Sequence, residues 1–139
     1  MVAADEELDW MGRSAVHSGA LRGDVAGVRA ALAGGADPGL AEKAGMTPLH
    51  FAAQSHSAKA AEVLFEAGAA VDVGDGNGNT ALFTAVFNYQ GDPATLRVLL
   101  LAGADAEREN LKDVSPCSLA EMIGNYDVAV HVPDTQQHR

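Results

Sequence analysis

Residues 47–53 read Thr-Pro-Leu-His-Phe-Ala-Ala, and this stretch decides the fold. A hydroxyl residue followed directly by proline predicts the start of a helix. The hydroxyl oxygen can accept a backbone N–H that has no partner within the helix, and proline has no N–H to lose at the first helical position. The residues that follow are apolar or small apart from His50, which is typical of a helix that packs closely against its neighbours. Thr47 is therefore predicted to be the N-cap of a buried helix.

The same order of residues occurs four times along the chain. The leading hydroxyl residues lie 33, 33 and 35 residues apart, at Ser14, Thr47, Thr80 and Ser115. A Gly-Ala pair ends three of the four copies, at Gly35-Ala36, Gly68-Ala69 and Gly103-Ala104. The two extra residues of the third copy fall within 88–91. A fixed period of this length predicts a stack of units in which each unit packs mainly against its neighbours.

Each unit is predicted to contain two helices. The first helices are expected at about 15–22, 48–55, 81–89 and 116–123. The second helices are expected to begin after the capping residues Asp24, Ser57, Asp92 and Asn125. Gly35, Gly68 and Gly103 are expected to end the second helices in the left-handed conformation.

These motifs resemble the ankyrin-repeat family. Residues 47–53 match its Thr-Pro-Leu-His-x-Ala-Ala signature. The Asp-x-x-Gly-x-Thr turn of the family is matched by residues 75–80 and, with serine last, by 9–14, whereas 42–47 and 110–115 are degraded copies. The resemblance implies an all-α solenoid of three full repeats plus a truncated C-terminal capping repeat, with short β-hairpin loops.

The resemblance also divides the chain. Residues 1–8 are expected to form an N-terminal acidic segment and 133–139 a flexible tail. The ankyrin-repeat domain between them covers 9–132, with repeats at about 9–41, 42–74, 75–109 and 110–132.

The histidine of the family signature is not present in every repeat. His17 and His50 hold it, and the resemblance implies that they brace the turn by hydrogen bonds. Phe83 and Ser118 replace it in the later repeats. His56 stands where the family has a glycine between the two helices.

No residue pattern points to catalysis, a cofactor or a metal. His50 and His56 lack the spacing of a helical metal pair, and His131 and His138 lie near the end of the chain. The glycines of 74–79 are not followed by the Lys-Ser or Lys-Thr of a phosphate loop, and a calcium loop would need a glutamate where Val86 stands. The chain is therefore expected not to be an enzyme and to need no cofactor.

Charge and cysteine content restrict the partner and the compartment. The net charge of −10 disfavours nucleic acid, and the single cysteine, Cys117, excludes an internal disulfide and suits a reducing compartment. The acidic start and the short longest apolar run, 98–102, predict neither a secretory signal nor a membrane span. A cytoplasmic protein is expected, and its few lysines with abundant alanine and glycine favour a bacterial source.

The resemblance implies that the protein binds another protein and does so through a concave face, made of the hairpin tips and the exposed side of the first helices. The residues at those positions are Trp10, Met11, Arg13, Leu21, Arg22, Lys43, Ala44, Met46, Gln54, Ser55, Asn77, Asn79, Phe87, Asn88, Tyr89, Gln90, Leu111, Lys112, Val114, Met122 and Ile123. None of them is acidic, although the chain has 19 acidic residues. An apolar surface with arginine and aromatic side chains is typical of a protein interface.

Two roles remain open for such a module. It could be a scaffold or assembly subunit, or it could be a stoichiometric inhibitor such as a bacterial immunity protein that neutralises a toxin, with a basic protein or a toxic enzyme as partner. It could also be one domain of a longer chain. A monomer without nucleic-acid or membrane partners is expected. A competing surface is acidic and comprises Glu62, Glu66, Asp105, Glu107 and Glu109.

Overall fold

The computed structural model describes residues 8–123, and that range contains seven α-helices. In chain order they are α1 (Ala15–Arg22), α2 (Val25–Ala33), α3 (Pro48–Gln54), α4 (Ala58–Glu66), α5 (Ala81–Phe87), α6 (Ala94–Leu101) and α7 (Pro116–Met122). No strand is assigned within 8–123. The predicted all-α repeat architecture is confirmed.

The helices form two layers. The first helices of the repeats, α1, α3, α5 and α7, pack side by side in that order and form the inner layer. The second helices, α2, α4 and α6, do the same and form the outer layer. Each outer helix also packs on the inner helix that precedes it. Equivalent residues of successive repeats therefore lie in rows that cross the stack.

Hydroxyl and carboxylate oxygens start most of these helices as predicted. Oγ1 of Thr80 accepts the N–H of Phe83 at 3.3 Å, and Oγ of Ser115 accepts the N–H of Ser118 at 3.0 Å. Asp24 and Ser57 accept backbone N–H groups at the start of α2 and α4.

The start of α6 differs from the prediction by one residue. Pro93, not Asp92, is the N-cap, and the helix begins at Ala94. The Asp92 carboxylate still accepts the N–H of Ala94 at 3.0 Å, although Asp92 lies one residue before the N-cap. The inner helices α3, α5 and α7 end one or two residues earlier than expected.

The core lies between the two layers. Leu49 and Leu82 of the inner layer and Leu64, Leu96 and Leu99 of the outer layer are at most 2% exposed. The small residues of the inner helices, Ala20, Ala52, Ala53 and Ala85, are buried as the sequence predicts. Small side chains at these positions let neighbouring helices approach closely.

Left-handed backbone separates the two helices in each of the first three repeats. Gly23 and Gly91 hold this position in the first and third repeats, with φ of 68° and 109°. His56 occupies it in the second repeat, with φ of 60°. A side chain at positive φ is strained, so the missing glycine costs the second repeat some stability. The expected cap at Asn125, the rest of the fourth repeat, residues 1–7, the segment 133–139, His131 and His138 lie outside 8–123.

Candidate functional site: the concave face

Each hairpin tip is a tight turn organised by one side-chain oxygen. In the third repeat, Oδ1 of Asp75 accepts the N–H groups of Asn77 and Asn79 at 2.8 and 3.0 Å. In the first repeat, Oδ1 of Asp9 accepts the N–H groups of Met11 and Arg13, both at 2.9 Å. The hydrogen bonds from the N–H groups of Arg13 and Met11 lower the pKa of the Asp9 carboxyl below its ordinary value.

The two tips that looked degraded in the sequence form the same turn. Oε1 of Glu42 accepts the N–H groups of Ala44 and Met46 at 2.6 and 3.0 Å. Oδ1 of Asn110 accepts those of Lys112 and Val114 at 2.8 and 3.0 Å. The turn needs an acceptor oxygen within reach of two N–H groups, and glutamate and asparagine both supply one.

Backbone hydrogen bonds join successive tips. The N–H of Lys43 donates to the carbonyl oxygen of Met11 at 2.8 Å, and that of Gly76 donates to Ala44 at 2.8 Å. A Cβ atom on Gly45 would lie 2.7 Å from the nitrogen of Gly76, so only glycine fits between these tips. The tips therefore form one row along the stack.

The signature histidines join α1 and α3 to the tips that follow them. Nδ1 of His50 accepts the N–H of Thr47 at 3.0 Å, and its Nε2 lies 2.7 Å from the carbonyl oxygen of Asn79. His17 makes the equivalent contacts with Ser14 and, at 3.2 Å, with Met46. Burial is the largest influence on His50 and lowers its pKa, so the neutral ring is favoured. Both rings have the structural role predicted for them.

The third repeat lacks this histidine, and an amide pair joins its tip to the next one. Nδ2 of Asn110 donates to Oδ1 of Asn79 at 2.8 Å. The backbone N–H of Leu111 also donates to the carbonyl oxygen of Asn77 at 3.0 Å. Asn79 is therefore used to hold the stack together as well as lying at a predicted contact position.

Arg13 is held in place by the second repeat. Its Nε lies 3.6 Å from Oε2 of Glu42, and its guanidinium carbon lies 5.0 Å from the ring centroid of Phe51. The Glu42 side chain is 1% exposed, whereas the Arg13 side chain is 34% exposed. The sequence did not predict this cluster, because it joins a tip residue to a carboxylate and an aromatic ring 29 and 38 positions further along the chain.

One row of exposed side chains follows the C-terminal ends of the inner helices. Its members in the four repeats are Leu21, Gln54, Phe87 and Met122. Leu21 is half-buried and Gln54 is exposed, while Phe87 and Met122 are 67% and 69% exposed. Phe87 and Met122 end neighbouring helices, so the surface becomes more apolar toward the C-terminal repeats.

The remaining predicted contact residues differ in their exposure to solvent. The exposed ones are Trp10, Arg22, Lys43, Ala44, Asn77, Gln90, Leu111, Lys112 and Ile123. The half-buried ones are Met11, Met46, Ser55, Asn88, Tyr89 and Val114. Nδ2 of Asn88 donates to the carbonyl oxygen of Thr84, and Tyr89 packs against the core. The amide of Asn88 and the ring of Tyr89 therefore also stabilise the end of α5.

Two surface ion pairs lie on the outer layer. Glu62 lies 3.2 Å from Lys59, one turn away on α4, and Glu66 lies 3.7 Å from Arg29 on α2. All four side chains are well exposed, so each pair contributes little to stability.

Chemistry-bearing groups do not converge within the described part of the chain. Between residues 8 and 123, no three His, Cys, Asp or Glu side chains could together hold a metal ion. Cys117 is buried. No helix in this range is long and apolar enough to cross a membrane.

Comparison with known proteins agrees with the geometry. A family model described as ankyrin repeats in three copies matches residues 15–110. The human protein "Ankyrin repeat and SOCS box protein 16" is 28% identical to the chain over 176 aligned positions, which cover 91% of this chain and 39% of the relative. The chain thus spans about two fifths of that relative's length. Ankyrin repeats generally mediate protein–protein interaction and are typically not catalytic. The chain belongs to the ankyrin-repeat family.

Proposed function

We propose that this protein is a non-catalytic binding module that holds one partner protein on its concave face, as a scaffold or assembly subunit. The face comprises the four tips and the exposed ends of the inner helices. We place this interaction in the cytoplasm, because a protein whose only cysteine is the buried thiol of Cys117 suits a reducing compartment.

The distribution of exposed apolar side chains carries the proposal. Within 8–123, eight large apolar residues are exposed, and five of them lie at the predicted contact positions: Trp10, Phe87, Leu111, Met122 and Ile123. Trp10 is 79% exposed and Leu111 is 76% exposed. Apolar side chains concentrated on one surface of a protein mark a site where another surface binds.

Three of the tips use an acidic side chain to hold their own backbone. The carboxylates of Asp9, Glu42 and Asp75 each accept two backbone N–H groups. These three acids therefore fix the turns, and the tips present the side chains between them to a partner. A rigid, preformed surface loses little entropy on binding, which favours affinity.

The competing acidic surface has two of its residues, Glu62 and Glu66, on α4, and their contacts favour a lesser role for it. Glu62 and Glu66 are already paired with bases of the same layer. Exposed charges of this kind mostly change the rate at which a partner arrives, and they add little to the energy of the bound state.

Amide hydrogen exchange on the complex tests the proposal. The native partner is first isolated by co-purification with the full chain. Exchange in the complex should slow at the tips, 9–13, 42–46, 75–79 and 110–114, and at the ends of α5 and α7. Slower exchange confined to α2, α4 and α6 would contradict the proposal.

The same complex separates a scaffold from a stoichiometric inhibitor. A partner whose own activity is unchanged at a one-to-one ratio indicates a scaffold. A partner that loses its activity at that ratio indicates an inhibitor, of which a bacterial immunity protein that neutralises a toxin is one kind.

A further inference from the structure

Basic and apolar side chains are unevenly distributed along the concave face. Three of its four basic contact residues, Arg13, Arg22 and Lys43, lie in the first two repeats, and the fourth, Lys112, lies in the fourth repeat. Four of its five exposed large apolar side chains, Phe87, Leu111, Met122 and Ile123, lie in the last two repeats, and Trp10 lies in the first. The row at the ends of the inner helices shows the same change, from half-buried leucine and exposed glutamine to exposed phenylalanine and methionine.

Arg13 is prepared to bind an anion. Nε faces the buried Glu42 carboxylate at 3.6 Å and is itself buried without a hydrogen bond, while Phe51 lies against the guanidinium carbon. These contacts fix the plane of the group, and about a third of the side chain remains exposed. A planar guanidinium held in this way matches the two oxygens of a carboxylate.

A second cation lies next to it. Lys43 is exposed, and its backbone N–H donates to Met11 in the neighbouring tip. The Lys43 side chain lies close to Gly12, the residue before Arg13. A Cβ atom at Gly12 would be 3.7 Å from Cγ of Lys43. The carboxylates of Asp9 and Glu42 each hold two backbone N–H groups of their own tips.

We infer that the partner presents an acidic, apolar segment to this face, with a carboxylate at Arg13 and an apolar side chain at Phe87 and Met122. The inference rests on the proposed function and specifies the chemistry of the partner at the same face. Arg13 and Lys43 complement the charge of the carboxylate, and most of the exposed apolar side chains of the face lie toward its other end, which favours one direction of the segment.

The spacing of the two anchors follows from helix packing. Neighbouring helices lie about 8–10 Å apart, so α7 lies about 16–20 Å from α3, where Arg13 is held against Phe51. An extended chain advances about 3.3 Å per residue, so about five or six residues span that distance. The carboxylate and the apolar side chain should be about that far apart in an extended partner segment.

Selection of peptides on the full chain tests the inference. A random library of about 12-residue peptides is displayed and selected on the immobilised protein, and the enriched peptides are synthesised for titration. The expected peptides contain Asp or Glu toward one end and apolar residues toward the other. Arg13→Lys keeps the charge but removes the planar guanidinium group, and it should weaken binding of the selected peptides about tenfold. Arg97→Lys, an exposed arginine of α6, should change binding by less than about twofold.

A double-mutant cycle assigns the carboxylate to Arg13. Replacing the peptide's Asp by Asn, or Glu by Gln, should weaken binding to the unmodified protein about tenfold and to the Arg13→Lys variant much less. Unchanged thermal unfolding of Arg13→Lys shows that the loss is not a folding defect.

The remaining outcomes distinguish the inference from the proposed function. Peptides that lose affinity with Phe87→Ala but lack acidic residues, or bind the Arg13→Lys variant equally well, overturn the inference and leave the concave face as the site. Peptides that are insensitive to both variants contradict the concave face itself, as does a selection that enriches no peptide.

Discussion

Nε2 of His50 lies 2.7 Å from the carbonyl oxygen of Asn79, a residue in the tip of the next repeat. Because Nδ1 accepts the N–H of Thr47, the ring proton is on Nε2, and Nε2 is the donor. One neutral ring therefore caps the start of α3 and joins the second repeat to the third. A protonated ring carries hydrogen on both nitrogens and cannot accept the N–H of Thr47.

This arrangement predicts that His50 stabilises the fold less at acidic pH. Burial lowers the pKa of His50 from about 6.5, so the unfolded chain takes up the proton more readily than the folded one. The stabilisation is fully present above pH about 6.5 and is lost as the pH falls through the lower folded-state pKa.

A variant with glutamine at this position isolates the effect. His50→Gln keeps an acceptor for the N–H of Thr47 and does not titrate. The free energy of unfolding of the unmodified protein minus that of the variant should decrease as the pH falls from about 7.5 to about 5, measured by urea unfolding at each pH. A difference that stays constant over this range would contradict the role assigned to the ring.

Leu64 should contribute strongly to stability. Its side chain is 0% exposed between the layers, so Leu64→Ala should lower the free energy of unfolding by about 2–5 kcal/mol through lost burial and the cavity left behind. Leu101→Ala is the matched control, because Leu101 is 88% exposed on α6 and its loss should cost less than about 0.5 kcal/mol. Equal effects of the two substitutions in urea unfolding would show that the second repeat is packed differently.

His56→Gly should stabilise the protein. The residue sits at φ of 60°, where glycine occupies the equivalent position in the first and third repeats. Removing the side chain should raise the free energy of unfolding by about 0.5–1 kcal/mol. The backbone strain that is relieved is larger than the free energy that the more flexible glycine costs on folding. Gln54→Gly, at the exposed last residue of α3, should instead lower the free energy of unfolding. A lower melting temperature for His56→Gly would contradict this interpretation.

The sequence predicted the repeats from their spacing and most helix starts from the capping residues, and the family resemblance implied the two histidine braces. The tips at Glu42 and Asn110 did not match the family motif, yet both residues place an oxygen where the turn needs it. At the tips, the position of an acceptor oxygen predicts the turn better than the type of residue that carries it. The expected cap at Asp92 was wrong by one residue, since Asp92 accepts the N–H of Ala94 while Pro93 starts the helix.

The candidate site could be predicted only as a set of positions. Spacing indicated which residues lie on the concave face, but it could not show that Arg13 packs on Phe51 beside buried Glu42. Nor could it show that the side chain of Asn79 accepts a hydrogen bond from Asn110 of the next tip. Both contacts join residues about one repeat apart, so they depend on how the stack closes and not on any local pattern.

Binding of the native partner to single-residue variants tests the central claim most directly. Phe87→Ala removes an exposed apolar side chain from the concave face, and Leu101→Ala removes one from the outer layer. Isothermal titration should show that Phe87→Ala weakens binding by about 2 kcal/mol, as expected of an aromatic hot spot, and that Leu101→Ala leaves the affinity unchanged. Glu62→Lys combined with Glu66→Lys should change the association rate and barely affect the dissociation rate. Full affinity of the Phe87→Ala variant, together with loss of binding on the charge reversals, would contradict the claim that the concave face is the main binding site.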